Sequence, residues 1–333
     1  MTPFRTVVGV LALTTTLALA GCGSSTGNEE AVLQDGSVDL SKVTLTVGDQ
    51  KGGSKALLSA AGKLDDVPYE INWKSFTSGP PLLEALNAGA IDIGGVGNTP
   101  PLFAAAAKSK IEVVSGATMG AKGDTIVVPK DSSITSVADL KGKTVAVAEG
   151  SSANYNLLAQ LAKADLSYED VEVKALQPAD ALAAFTNQHV DAWAIWDPYT
   201  SQAELEADAR ILVDGSGTVN GMTFQAANPE ALEEKATRAA LKDYLKRIAE
   251  AQVWSNTHRD EWAKVWAEET GLSPEVTRRA VDRRLAKPTP IDSTVTDSEQ
   301  EMADAFVKAG LLPEKFDVDE FFTDDYNGSV PAA

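Results

Sequence analysis

Apolar and polar positions along this chain switch repeatedly between two periods. Runs that alternate in β-branched and apolar residues, such as Val43–Val47 (VTLTV), read as strands, and runs with apolar residues three and four apart read as helices. The pattern predicts strands at 43–47, 69–76, 91–96, 111–117 and 125–129, with helices at 55–61, 82–87 and from 100 through 107. It then continues with a helix near 137–140, strand 144–148, helix 155–164, strand 171–176, helix 179–187, strand 192–195 and helix 199–207. Such alternation predicts parallel sheets with helices on both faces. Two runs, 43–125 and 126–221, predict two α/β lobes. From Pro229 the chain is almost wholly helical, with Leu241, Leu245, Ile248, Ala249 and Gln252 at helical spacing, as are Trp262 and Trp266. This tail is expected to return to the first lobe, so that lobe 1 comprises 43–125 plus 222–333 and lobe 2 comprises 126–221.

The first 21 residues read as an export signal. Arg5 supplies a positive start, and Val7–Ala20 is an apolar run shorter than the ~20 residues a membrane span needs. The string Leu19-Ala20-Gly21-Cys22 resembles a bacterial lipobox, which implies cleavage before Cys22 and a diacylglycerol on its sulfur. Residues 22–42 then read as an acylated cysteine followed by a flexible, Gly/Ser-rich tether. The expected location is the outer face of the bacterial cytoplasmic membrane, held by lipid.

Composition narrows the function. Lys and Arg total 29 against 48 Asp and Glu, a net charge of −19 that argues against nucleic-acid binding and against adsorption to anionic lipid. The single cysteine excludes a disulfide within the chain and CxxC chemistry, and two histidines, His189 and His258, leave little for a metal site or a triad. No HExxH or GxSxG occurs. Among Arg278, Arg279, Arg283 and Arg284, Asp282 can pair with Arg278 on a solvated helix face. No catalytic residue, metal or cofactor is expected.

The chemistry lies in how the helices begin. Gly52-Gly53-Ser54, Ser78-Gly79-Pro80, Asn98-Thr99-Pro100, Gly150-Ser151-Ser152 and Trp196-Asp197-Pro198 all combine capping residues, glycine or proline at a strand-to-helix junction. Each alone is ordinary capping. Spread over both lobes, they describe a cleft lined by backbone donors and suited to a compact anion.

From about Val43 to Ile291 the chain resembles solute-binding proteins of ABC importers, in the aliphatic sulfonate-binding group. The resemblance rests on Gly48-Asp49-Gln50-Lys51-Gly52, the run Gly79 to Gly89, Ile91-Asp92-Ile93-Gly94, the run Ala138 to Lys143, Glu149-Gly150-Ser151-Ser152 and, most specifically, the run Asp191 to Tyr199. It implies a two-lobed, type II periplasmic-binding-protein fold: two α/β sheets flanked by helices, with C-terminal helices packing on lobe 1. It also implies a monomer that closes over a small organosulfonate anion, with a permease and its ATPase as partners. Ligand contacts are then expected from Gln50, from Gly97, Asn98 and Thr99, from Ser151 and Ser152, and from Trp196 and Asp197, with Arg284 as a further positive contact. Trp196 rather than Trp193 is expected to wall the cleft, and Asp197 to cap its helix or meet a ligand amine. Taurine, nitrate or a pyrimidine precursor of thiamin are alternative ligands. An enzyme of the same fold that makes a pyrimidine is a remote alternative, since it uses a cysteine-rich motif absent here.

Overall fold

The computed structural model describes residues 28–329. The export signal, Cys22 and the first part of the expected tether lie outside the described residues.

In the first lobe β1 (Thr44–Gln50), α1 (Ser54–Ala60), β2 (Glu70–Phe76), α2 (Gly79–Asn87), β3 (Ile93–Gly97), α3 (Thr99–Ala106) and β4 (Glu112–Thr118) follow the predicted order within a few residues. The second lobe holds β5 (Thr125–Pro129), β6 (Thr144–Val147), α4 (Ser152–Lys163), β7 (Glu172–Ala175), α5 (Pro178–Thr186), β8 (Ala192–Ile195), α6 (Tyr199–Glu206) and β9 (Ala209–Asp214). The helix expected near 137–140 is a single 3-10 turn there. The chain returns through β10 (Met222–Ala227), α7 (Pro229–Glu233), α8 (Lys235–Ser255), α9 (Arg259–Thr270), α10 (Pro274–Asp282), β11 (Lys287–Thr289) and α11 (Ser293–Lys308).

The sheets run β11-β4-β10-β3-β1-β2 and β7-β6-β8-β5-β9. Neither is purely parallel, which corrects the sequence expectation: β10 is antiparallel to β3 and β4, and β5 is antiparallel to β8 and β9. The cause is connectivity. β4 ends at the cleft and passes directly into β5, and β9 passes back into β10, so each entering strand starts at the cleft and runs away from it. The crossovers lie side by side, with Met119 N–H on Gly221 O at 2.9 Å and Gly215 N–H on Ala121 O at 3.2 Å.

The two lobes repeat one device. Asp92 accepts from Thr46 N–H at 2.7 Å, and Asp191 accepts from Thr144 N–H at 2.8 Å, each tying the start of one strand to its neighbour. Burial pushes the Asp92 carboxyl up to about 6. The acidic residues of these two motifs therefore hold sheets together.

The apolar stripe of α8 buries Leu241, Tyr244, Leu245 and Ile248 against Leu45 and Val47 of β1 and Trp262 and Trp266 of α9. Lobe 2 packs Ile126, Val145, Val147, Leu157 and Leu161 on one face and Phe185, Trp193 and Ile195 on the other. The helical tail packs on the first lobe as expected, and it also reaches the second, through Arg283 of the turn after α10 to Glu204 of α6 and through Phe306 of α11 to Tyr155 of α4.

Residues 28–42, expected to be part of a flexible tether, are packed on lobe 1. Asn28 is buried, its amide donating to Thr44 O at 3.0 Å and to Thr237 Oγ1 at 2.8 Å while its carbonyl accepts from Thr44 N–H. Ala31 is buried, and Val32, Val38 and Leu40 pack on the same core. These apolar side chains fix residues 28–42 to lobe 1, despite the polar composition around them.

Candidate functional site

A cavity of about 190 Å³ opens between the cleft-facing ends of the two sheets. Lobe 1 contributes Gln50 and Lys51 at the end of β1, Gly95 and Gly97 of β3, Thr223 and Gln225 of β10, Ile248 and Gln252 of α8, and Trp262 of α9. Lobe 2 contributes Ser151, Ser152, Trp196 and Asp197, and the crossover between β4 and β5 contributes Asp124. Arg284, two residues beyond α10, completes the wall.

Local capping places these groups. Asp49 Oδ1 accepts from Ser54 N–H at 2.7 Å and anchors the first turn of α1, while burial pushes its carboxyl up to about 6. Between them, Gly52 has φ +77°, and a Cβ there would sit 1.7 Å from Trp266 Nε1, so only glycine lets the loop lie on that indole. Ser151 caps α4: its hydroxyl donates to Ala148 O at 2.6 Å and accepts from Asn154 N–H at 3.3 Å. Ser151 and Ser152 therefore lie on the cavity wall at the positive end of a 12-residue helix.

Seven of the expected contacts line the cavity: Gln50, Gly97, Ser151, Ser152, Trp196, Asp197 and Arg284. Several spend their side chains inside the protein. Gln50 donates to Gly95 O at 2.8 Å, and Ser152 donates to Asp124 Oδ1 at 2.8 Å. Asp197 accepts from the N–H and hydroxyl of Ser201 at 3.0 and 2.7 Å and from Arg283 at 3.2 Å, so its carboxylate is saturated. Trp196 faces the cavity with its ring against the Tyr199 edge, and Trp193 is fully buried.

Asn98 and Thr99 do not line the cavity, a correction to the sequence reading. The Thr99 hydroxyl donates to Asn98 Oδ1 at 3.1 Å, and Asn98 Nδ2 donates to Asn220 Oδ1 at 2.6 Å in the returning crossover. Asn220 in turn donates to Glu299 Oε1 at 2.8 Å. This network turns both side chains toward α11, and its distant members are invisible in a local motif.

Arg284 is the principal charge. Its guanidinium lies 4.8 Å from the Trp266 ring and 5.8 Å from the Trp262 ring, and it makes one hydrogen bond to protein among the described residues, to Asp197 O at 3.2 Å. Burial lowers its pKa from the ordinary value, opposed by Asp197 and Asp124, yet a guanidinium stays charged. Burial pushes Asp124 up to about 6, against the pull of the Ser152 hydroxyl and Arg284. Lys51 sits 5.4 Å from the Tyr199 ring, its pKa lowered chiefly by burial.

Asp124, Gln252, Lys51 and Trp262 were not singled out as contacts by the sequence. Gln252 carried a signal, as a polar residue at the helical spacing of Leu241, Leu245, Ile248 and Ala249.

Two mixed sheets, two crossovers and a donor-lined cavity between them define a two-lobed solute-binding protein. A model of the NMT1/THI5 like family matches residues 78–236. A relative from Escherichia coli (strain K12), named as an aliphatic sulfonates-binding protein, is 37% identical over 287 residues, covering 84% of this chain and 88% of the relative. The alkanesulfonate-binding protein from Xanthomonas axonopodis pv. citri bound to MOPS matches with a TM-score of 0.78 and 36% identity, over 84% of this chain and 98% of that one. The periplasmic aliphatic sulphonate binding protein from Escherichia coli matches with a TM-score of 0.74 and 35% identity, over 84% of this chain and 96% of that one. The chain belongs to the NMT1/THI5-like family, in its group of periplasmic sulfonate-binding proteins. It is a binding protein that works outside the cytoplasm.

Proposed function

We propose that the protein captures an aliphatic sulfonate in this cavity and delivers it, chemically unchanged, to the permease of an ABC importer. Arg284 carries the reading. A half-buried guanidinium with most of its donors unspent and no carboxylate in ion-pair contact among the described residues is a receptor for an anion. The N-terminus of α4 faces the same space. Three sulfonate oxygens match several convergent donors, and the apolar walls formed by Leu57, Met119, Met222, Ile248 and Trp196 leave room for an alkyl tail. The crossovers let the lobes close over the ligand and present a shape the permease can read.

The reading is tested by calorimetric titration with alkanesulfonates, nitrate and an aminopyrimidine in phosphate, because common zwitterionic buffers are sulfonates. Binding confined to the sulfonates supports it. Heat from nitrate or the aminopyrimidine alone overturns the ligand and leaves the importer role. A diacylglycerol on Cys22 anchors the protein to the membrane in this reading, and Cys22→Ser should release it from the membrane fraction.

A further inference from the structure

Each sheet has an edge strand far from the crossovers. β2 closes one end of the first sheet and β7 one end of the second. The strands that the crossovers join, β4 and β10 in one lobe and β5 and β9 in the other, lie toward the opposite ends. A hinge at the crossovers therefore moves the β2 and β7 edges apart by the largest distance. There the lobes meet through side chains. The Ser78 hydroxyl, after β2, donates to Gln177 Oε1, after β7, at 2.8 Å, and the Thr77 hydroxyl donates to the same oxygen at 3.1 Å.

Both ends of this contact sit where a helix cap belongs. Ser78 directly precedes α2 and Gln177 directly precedes α5, and neither side chain bonds its own helix. A capping serine accepts from the N–H of the second or third helical residue. In α2 those residues are Pro80 and Pro81, which carry no N–H. The Ser78 hydroxyl therefore has no cap to make, and it is spent across the cleft instead. Ser78 is fully buried beneath the contact and Gln177 half-buried. Neither of them, nor Thr77, lines the cavity.

We propose that Thr77, Ser78 and Gln177 form a clasp that holds the lobes shut, so that they set how long a ligand stays bound without touching it. This rests on the sulfonate-capture reading of the cavity. The ligand enters while the two edges are apart and leaves only after the clasp has parted. Parting exchanges the two hydroxyl bonds for bonds to water. The clasp therefore favours the closed form by the small difference, on the scale of one neutral hydrogen bond. Association starts from the open form, so the clasp slows release and leaves capture at the same speed.

The test is calorimetry and stopped-flow tryptophan fluorescence with ethanesulfonate in phosphate. The proteins are the wild type, Gln177→Ala, Thr77→Val combined with Ser78→Ala, and all three changes together, each checked for an intact fold by urea unfolding. Gln177→Ala should weaken binding about fivefold, wholly through faster release, with the association rate unchanged. The Thr77 and Ser78 changes should do the same, because Pro80 and Pro81 leave Ser78 no cap to lose. The triple variant should be no weaker than Gln177→Ala alone, since the three residues serve one contact. Release from Gln177→Ala at the wild-type rate, a loss confined to the association rate, or losses that add in the triple variant would each overturn the clasp and leave sulfonate capture intact. A wild type that binds no ethanesulfonate overturns the sulfonate reading itself, and this proposal with it.

Discussion

Arg283 and Arg284 are neighbours in sequence and opposites in use. Arg283 spans the lobes: it donates to Asp197 at 3.2 Å, to the Ser201 hydroxyl at 2.9 Å and to Glu204, while Arg279 approaches Glu204 at 3.8 Å. Arg284 turns the other way, lies over Trp266 and keeps its donors for the cavity. A cation saturated by carboxylates is part of the frame, and a cation braced by aromatic rings is free to receive a ligand. The difference comes from one residue of rotation at the end of α10.

The largest effect should come from breaking the saturated pair. Arg283→Ala strands Asp197, whose side chain is 1% exposed. It should cost about 3 kcal/mol of stability in urea unfolding, since removing one partner leaves a buried charge unpaired. Its sulfonate affinity should fall less than that of Arg284→Ala. A stability loss below about 1 kcal/mol would show that the arginine does not hold the lobes together.

Arg284→Ala should show the reverse profile. Sulfonate affinity should drop about 100-fold, the scale of one or two charge-assisted hydrogen bonds, with a smaller change in unfolding midpoint than Arg283→Ala. Equal affinity in the variant and the wild type would move the anion elsewhere in the cleft.

Glu299 sharpens the contrast, as a carboxyl with no cation in ion-pair contact among the described residues. Fully buried, it accepts from Asn220, its Oε2 has no donor, and burial pushes it up to about 8. Its folded value lies above the ordinary 4.5, so the stability it contributes is present below about pH 4.5 and lost as pH rises toward 8. Glu299→Gln should therefore match the wild type near pH 4.5 and exceed it progressively up to pH 8 in thermal unfolding across that range. A constant difference across pH would contradict the burial assigned to this carboxyl.

The same contrast explains what could be read before the structure. Capping residues and strand periodicity are local, so the helix starts near Ser54, Gly79, Ser152 and Tyr199 were legible to within three residues, as was the succession of strands and helices along the chain. Strand direction was not, because β5 and β10 take their sense from crossovers between lobes. The site followed this division. Ser151, Ser152 and Trp196 belong to junction motifs and reach the cavity, as does Gln50, two residues before the first junction. Asn98 and Thr99 belong to one too, but Asn220 and Glu299, more than 100 residues away in sequence, turn them aside. Asp124 had no motif at all, only a place in a crossover that the fold lays against Arg284. Polar residues 28–42 read as tether because the pairing of Asn28 with Thr44 and Thr237 is long-range.

The most direct test of anion capture at Arg284 is a crystal structure with an alkanesulfonate, grown in a buffer free of sulfonates. The sulfonate oxygens should lie about 3 Å from the Arg284 guanidinium and from the first N–H groups of α4, with the tail against Trp196. A sulfonate seated elsewhere in the cleft, with Arg284 still facing an empty cavity, would contradict the assignment.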